Sequence, residues 1–359
     1  MDFLKHLAAA LTLLVLAMNT TAPAQTSEDD KLAGFFKTYL DEHFCQQPLE
    51  ATQLGDHRFD ARLENPTPAA RAEWFAFARR TLKELPRQVA YKQLSRTGQI
   101  DFEIFQHELQ TQIWMTENTH PFEEDPRTYG DYINGSVYLP LTQSTLPHET
   151  NIANCLARMT QIPRVIATAK ATLTHPPKPV LETAIRQNRG AISFYEKELF
   201  ESAGETPQLA KLKAAAAPIV AALNDYQKFL ETDLMARADG EWRLGAAKFK
   251  HKFDLMLDAG VSADQVFADA QSEFERVQRD LYVIARQLWA KYFSQTPLPP
   301  DDAAGRRETI TKVIGAVNQD HGTPENLVAD ASATVTHIKA FIHDHDYLRL
   351  PEPDNCRLN

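Results

Sequence analysis

His107-Glu108 and His148-Glu149 come nearest in this chain to a metal-hydrolase pattern. In an H-E-x-x-H helix the two imidazoles sit one turn apart and share a zinc ion, with the glutamate beside the bound water. Thr111 and Ile152 stand where the second histidine would have to be, so neither dipeptide is a ligand pair. The densest cluster among the 12 histidines is His343-Asp344-His345-Asp346, with His337 preceding it. Residues i and i+2 diverge by about 200° on a helix, so His343 and His345 could share a metal only in extended backbone. The segment closes an apolar-periodic run, where histidine suits the negative end of the helix dipole. It reads as a solvated helix end.

Other chemistry is equally hard to assemble. His57 and Asp60, in Gly55-Asp56-His57-Arg58-Phe59-Asp60, have the types to bind or catalyse, but a turn that positions an apolar Phe59 accounts for them more simply. Asn134-Gly135-Ser136-Val137-Tyr138 lacks the glycine spacing of a nucleophile elbow. Neither a phosphate-binding loop nor a dinucleotide fingerprint occurs among the 13 glycines. Glu123-Glu124 and Asp301-Asp302 lie in polar, turn-rich stretches and read as solvated charge. Trp74, Phe75 and Phe77, and Trp289, Tyr292 and Phe293, could line a cleft, although aromatic residues at helical spacing are more often core. No residue is assigned a catalytic, cofactor-binding or metal-binding role.

The elements that would position any site are helices. Ile152, Leu156, Met159, Ile162, Val165, Ile166 and Leu173 trace one face. Val180, Leu181, Ala184, Ile185, Ile192, Tyr195 and Leu199 trace another, and Leu209, Leu212, Ile219, Leu223, Tyr226, Leu230 and Leu234 a third. Each matches the i, i+3, i+4, i+7 template over several turns. Ser262 with Gln265 reads as a capping box before the run Val266 to Leu288, and Thr323-Pro324 as an N-cap followed by proline. Pro163 and Pro218 imply a kink or a boundary. Asn134-Gly135, flanked by Tyr132, Ile133, Val137, Tyr138 and Leu139, is a hairpin signal near residues 132–139, where a helix or an irregular loop also fits. The expected fold class is all-α, a multi-helix array or bundle, with room for that one hairpin.

Composition sets the setting. At 43% hydrophobic and 24% charged residues the chain is globular rather than disordered. Its net charge of −10 is spread along the sequence, which argues against nucleic acid as a partner. Lys5 and His6, the apolar run Leu7 to Met18, and Ala22-Pro23-Ala24 read as a signal peptide over residues 1–24, cut after Ala24. No cysteine stands directly after the run, so a lipid anchor is not expected, and no later segment reads as a membrane span; the mature chain is expected to be exported, periplasmic or secreted. Cys45, Cys155 and Cys356 are an odd number for a compartment that permits disulfides; one pair plus one free thiol fits, and spacing does not choose the pair.

Pro48-Leu49-Glu50-Ala51-Thr52, Leu54-Gly55-Asp56-His57 and Phe59-Asp60 resemble the opening signature of the bacterial family called domain of unknown function 885. Arg158-Met159-Thr160-Gln161-Ile162-Pro163, Pro176-Pro177-Lys178-Pro179 and Ala184-Ile185-Arg186-Gln187 are similar to its central helices. Trp242-Arg243-Leu244-Gly245 with Phe249, and Tyr347-Leu348-Arg349-Leu350-Pro351, fit its later landmarks. The resemblance implies an exported or lipid-anchored helical protein placed with zinc metallopeptidases of the H-E-x-x-H type, whose zinc motif lies in a C-terminal portion past Asn359. No position here matches that motif, so zinc is expected only with that portion, and residues 25–359 are expected to be the helical scaffold and substrate-cleft part. Its partners would be a peptide substrate or a separately encoded C-terminal portion. The alternative is a stand-alone periplasmic helical module that binds peptides or envelope components.

Overall fold

The 3.6-residue periodicity is realised as helix along most of the described residues. The structure, a computed structural model, describes residues 27–353 and divides into one unit ending at Asp258 and another beginning at Ala259. The signal-peptide segment and Cys356 lie outside the described residues. Among the described residues no helix is long and apolar enough to cross a membrane.

The first unit starts with α1 (Glu28–Gln46). Its N-terminus is fixed by a reciprocal capping box: the Ser27 hydroxyl accepts from Asp30 N, and the Asp30 carboxylate accepts from Ser27 N. Next come α2 (Pro48–Gln53), a 3₁₀ turn (His57–Phe59), α3 (Pro68–Gln88) and α4 (Arg96–Asn118). Helices α1, α3 and α4 enclose a small core of Leu32, Leu85, Val89, Leu94 and Phe102. The larger core belongs to α5 (Pro121–Glu124), α6 (Arg127–Thr142), α7 (His148–Met159), α8 (Ile162–Thr172), α9 (Lys178–Ser193), α10 (Leu199–Ala203) and α11 (Leu209–Phe229). Tyr129, Ile152, Leu181 and Leu223 are fully buried there. Burying a side chain of this size contributes about 1.5–3 kcal/mol against the entropy of ordering it. Short π-helical stretches, Phe194–Glu198 and Leu230–Leu234, follow α9 and α11. The unit ends on α12 (Ala246–Leu257), which packs on α4.

The hairpin expectation near residues 132–139 is corrected: the segment is the second half of α6. A two-residue hairpin of this kind needs positive φ at both turn residues, and neither Asn134 nor Gly135 has it. Tyr129, Ile133, Ser136, Val137 and Pro140 fall instead on one buried helical face, packed against α2, α7 and α9. Tertiary burial of that face outweighs the local turn signal. Pro163 sits in the first turn of α8, as a boundary proline should. Pro218 remains inside α11.

The second unit holds α13 (Ala263–Tyr292), α14 (Ala303–Val317) and α15 (Leu327–His345). Only half of the expected capping box forms: Ser262 Oγ accepts from Gln265 N at 3.1 Å, while the Gln265 amide turns to Asp269. Thr323-Pro324 does not open α15, which begins after Asn326. Ala285, Trp289 and Val313 form the core between α13 and α14, and the Trp289 indole N–H donates to Thr296 O at 2.8 Å.

Candidate functional site

In the first unit a cleft of about 680 Å³ opens between α3, α4 and α5, within the range of small-ligand pockets. Two helices line it through one face each. Pro68, Arg71, Ala72 and Phe75 on α3, and Gln112, Met115, Thr116 and Thr119 at the end of α4, both follow i, i+3, i+4, i+7. Trp74 and Ala78 extend the α3 wall, His43, Gln47 and Glu50 the side toward α1 and α2, and Tyr132 comes from α6.

The rings form a linked arc. Phe122 lies 6.4 Å from Trp74 and 6.4 Å from Tyr132, nearly parallel to the latter at 15°. The Arg71 guanidinium sits over Phe122 at 4.5 Å and donates to Glu123 Oε1 at 2.7 Å. The cation is thereby held both by a carboxylate and by the ring quadrupole. His43 is fixed similarly: its Nε2–H donates to Glu50 at 2.9 Å, and its ring stacks on Tyr39. Burial pushes the Tyr39 phenol up to about 12, and it also raises the Tyr132 phenol. The Tyr132 hydroxyl stays protonated and has no hydrogen-bond partner among the described residues. Thr116 and Thr119 donate their hydroxyls to carbonyls of their own helix, so neither is poised as a nucleophile.

Beside the cleft a buried clasp sets the position of α2. Arg158 on α7 is fully buried. Its Nε donates to Arg62 O at 2.9 Å, Nη1 to Ser136 O at 3.3 Å and Nη2 to Thr52 Oγ1 at 2.5 Å. The Thr52 hydroxyl donates onward to Asp60 Oδ1 at 2.6 Å, and His57 Nδ1 donates to Asp60 Oδ2 at 2.8 Å. Burial lowers the Arg158 pKa, opposed by Asp60 and Glu64. Glu64 accepts from Leu49 N at 2.6 Å through one oxygen, while its other oxygen is buried without a partner. Desolvation pushes its carboxyl up to about 7. Gln161 completes the clasp by accepting from Leu63 N and donating to Ala61 O.

The structure places the sequence candidates as follows. Gly55, at φ +82°, and Asp56 do make a turn, but the side chain it buries is Asp60; Phe59 is only half-buried. His57 and Asp60 belong to the clasp. His107 Nε2–H donates to Leu255 O at 2.7 Å and ties α12 to α4. His148 is exposed at the start of α7. His345 donates to Phe341 O and stacks between Phe341 and Tyr347, and His343 stays at the exposed end of α15. Zinc requires three or more protein ligands, and among the described residues no group of three His, Cys, Asp or Glu is placed to hold a metal. These donors do not fit the ion that the family resemblance implies. Cys45 and Cys155 are free thiols; Cys155 is buried, which pushes its thiol up to about 12.

Two readings change. Trp74 and Phe75 line the cleft, whereas Phe77 and Trp289 are core. Glu123 is paired with Arg71 rather than merely solvated, while Asp302 caps α14 and Asp301 pairs with Arg306. The sequence reading missed Arg71, His43, Glu50, Phe122 and Tyr132. The signal that was available is the shared helical face of Arg71, Trp74 and Phe75.

The family described as bacterial protein of unknown function (DUF885) matches residues 48–358. A solved structure described as "a putative lipoprotein of unknown function from Shewanella oneidensis" is 24% identical, with a TM-score of 0.67. The likeness covers 90% of this chain but only 59% of that one, and it establishes the fold. No curated protein matches the chain. The opening signature and the Arg158 segment, distant in sequence, meet in the buried clasp, and the match takes in both: the chain belongs to the DUF885 family of bacterial proteins of unknown function.

Proposed function

We propose that this chain is the helical scaffold and substrate-cleft portion of an exported, zinc-metallopeptidase-like protein, with the first unit holding the substrate and the chemistry coming from further polypeptide. The cleft carries this reading. Its rings and paired charges are arranged to hold a ligand, and Thr116, Thr119 and His43 are already engaged. The length of the solved Shewanella protein supports the need for more polypeptide, since this chain spans 59% of it. An exposed apolar stripe on α13 supports it too. Phe267, Ala270, Phe274, Val277, Leu281 and Ile284 recur every three and four residues, and Phe274 is 64% exposed. A stripe of that spacing is a seam for another helix, and we assign it to the polypeptide equivalent to the part of the Shewanella protein not spanned here. That protein's description as a lipoprotein supports an envelope location, as does the signal-peptide reading of residues 1–24.

A second reading, a stand-alone periplasmic binding module, is favoured by one observation: every residue lining the cleft, from His43 to Tyr132, belongs to the first unit. Incubating the purified mature chain with a peptide mixture separates the outcomes. Both readings expect peptides to be retained and not cut, and no stoichiometric zinc. Cleavage that appears only when the family's C-terminal portion is supplied selects the first. Peptide cleavage by the mature chain alone, with bound zinc lost in His343→Ala/His345→Ala, overturns both.

A further inference from the structure

We infer that the first-unit cleft recognises an uncharged stretch of polypeptide through an aromatic side chain, its rings receiving the side chain and its free amides the peptide groups. The inference rests on the proposed peptide-binding reading and adds what the bound segment must be. Three observations select it. First, the walls carry Trp74, Phe75, Phe122 and Tyr132, contributed by α3, α5 and α6. Ring-on-ring contact adds to the burial of apolar area, so an aromatic side chain gains more there than an aliphatic one.

Second, the charges at the cleft are already used in pairs, with exposed His120 the one lining histidine left over. Arg71 is held by Glu123 at 2.7 Å and His43 by Glu50 at 2.9 Å. An ammonium, or a carboxylate seated inside the cleft rather than at exposed His120, would have to break one of these pairs and leave its partner uncompensated. A neutral ligand leaves both intact. The same balance disfavours nucleic acid, whose binding needs unpaired cations.

Third, the polar groups left over suit a peptide. The side-chain amides of Gln47 and Gln112 have no hydrogen-bond partner among the described residues, and both line the cleft. A primary amide presents donors and an acceptor, matching the N–H and C=O of a peptide group. The Tyr132 hydroxyl, also unengaged, adds a donor for a carbonyl. An acyl chain would leave all three unpaired.

The test uses the full mature chain, residues 25–359, and blocked tripeptides acetyl-Ala-X-Ala-amide with X as Phe, Leu, Lys or Glu, with affinities read by calorimetry. The Phe peptide should bind roughly ten-fold tighter than the Leu peptide, and the Lys and Glu peptides weaker still. Ala72→Trp and Thr116→Trp, two exposed positions on opposite walls, should each abolish binding while leaving the circular dichroism spectrum unchanged. Tyr132→Phe should weaken every peptide severalfold and keep their order. The inference is overturned if peptides bind regardless of X, if the charged peptides bind best, or if both blocking variants bind normally. Preference for an N-acetylglucosamine oligomer over the Phe peptide also overturns it, because it would mean that the rings serve a glycan. Binding independent of X leaves the peptide-binding reading standing, whereas failure of every tripeptide removes that reading as well.

Discussion

The two units use apolar residues in opposite ways. In the first, α6 to α11 bury their apolar faces against one another, and Tyr129, Ile152, Leu181, Leu199 and Leu223 have no measurable exposure. In the second, the 30-residue α13 buries only Tyr282, Ala285 and Trp289, and α15 buries nothing. Both regions carry strong helical periodicity, so the contrast does not come from local propensity. It comes from whether a second surface exists for each apolar face. Where the faces are matched, an ionic clasp built on Arg158 can sit in the interior with the guanidinium bonded through all three nitrogens. Where they are not, Phe267, Phe274 and Ile284 face outward, each more than half exposed. Contiguous exposed apolar surface of this sort marks an interaction site.

The sharpest way to break the comparison is to remove the clasp. Arg158→Met should destabilise the first unit by about 3–5 kcal/mol, because Asp60 and the carbonyls of Arg62 and Ser136 lose a buried partner. Denaturant unfolding followed by circular dichroism reads this loss, and a change below about 1 kcal/mol would mean that the clasp is dispensable. Trp289→Ala should come next. Removing a buried Trp costs about 3–5 kcal/mol in a well-packed core, and the low end is expected here, where the core has few members to lose. Calorimetry should show a lower-temperature transition weakened or abolished and a higher one unchanged. A uniform shift of a single transition would mean that the units unfold together.

How much of this was legible in the sequence differs by level. The helices were, because Ile152, Met159, Ile162 and Ile166 repeat at helical spacing whatever covers them. The hairpin signal at Asn134-Gly135 misled because turn chemistry is local, while the burial of Tyr129, Ile133 and Val137 in α6 is tertiary. His57 and Asp60 were visible as unusual residues, but their partners Thr52 and Arg158 lie 8 and 98 positions from Asp60. Nothing in spacing announces such a contact. The cleft was half legible: Trp74 and Phe75 stood out, and the core prior turned attention away from them. Only the meeting of α3 with α5 and α6 makes those rings a wall.

A pH series sharpens the contrast, because the buried carboxyl with an unpartnered oxygen lies in the first unit. Burial raises Glu64 to about 7 from the 4.5 of an ordinary glutamate, so between those values the folded state holds a proton that the unfolded state has lost. This contribution is fully present below about 4.5 and disappears as pH rises through about 7. The first unit's transition should therefore weaken over that window by about 1–3 kcal/mol. Glu64→Gln keeps an oxygen for Leu49 N and removes the titration, so it should flatten the slope. A slope of equal size in the variant would assign the effect to other groups.

The smallest effect on stability is expected where the second unit is most unlike the first. Phe267→Gln, Phe274→Gln and Ile284→Gln fall on the outward stripe of α13, outside the core of Ala285, Trp289 and Val313. Substitutions that disturb no core contact stay within about 0.5 kcal/mol, and glutamine is a good helix former, so the melting of the second unit should hardly move. What should change is association. The unmodified mature chain should sediment as a mixture with larger species at high concentration, because apolar stripes on separate molecules bury one another. The triple variant should run as a single small species, and it should no longer bind a supplied C-terminal portion of the family. If the three substitutions unfold the second unit, the stripe is part of its core and the contrast between the units fails. If they leave both folding and association untouched, the stripe is exposed but is not a seam, and the need for a covering polypeptide falls with it.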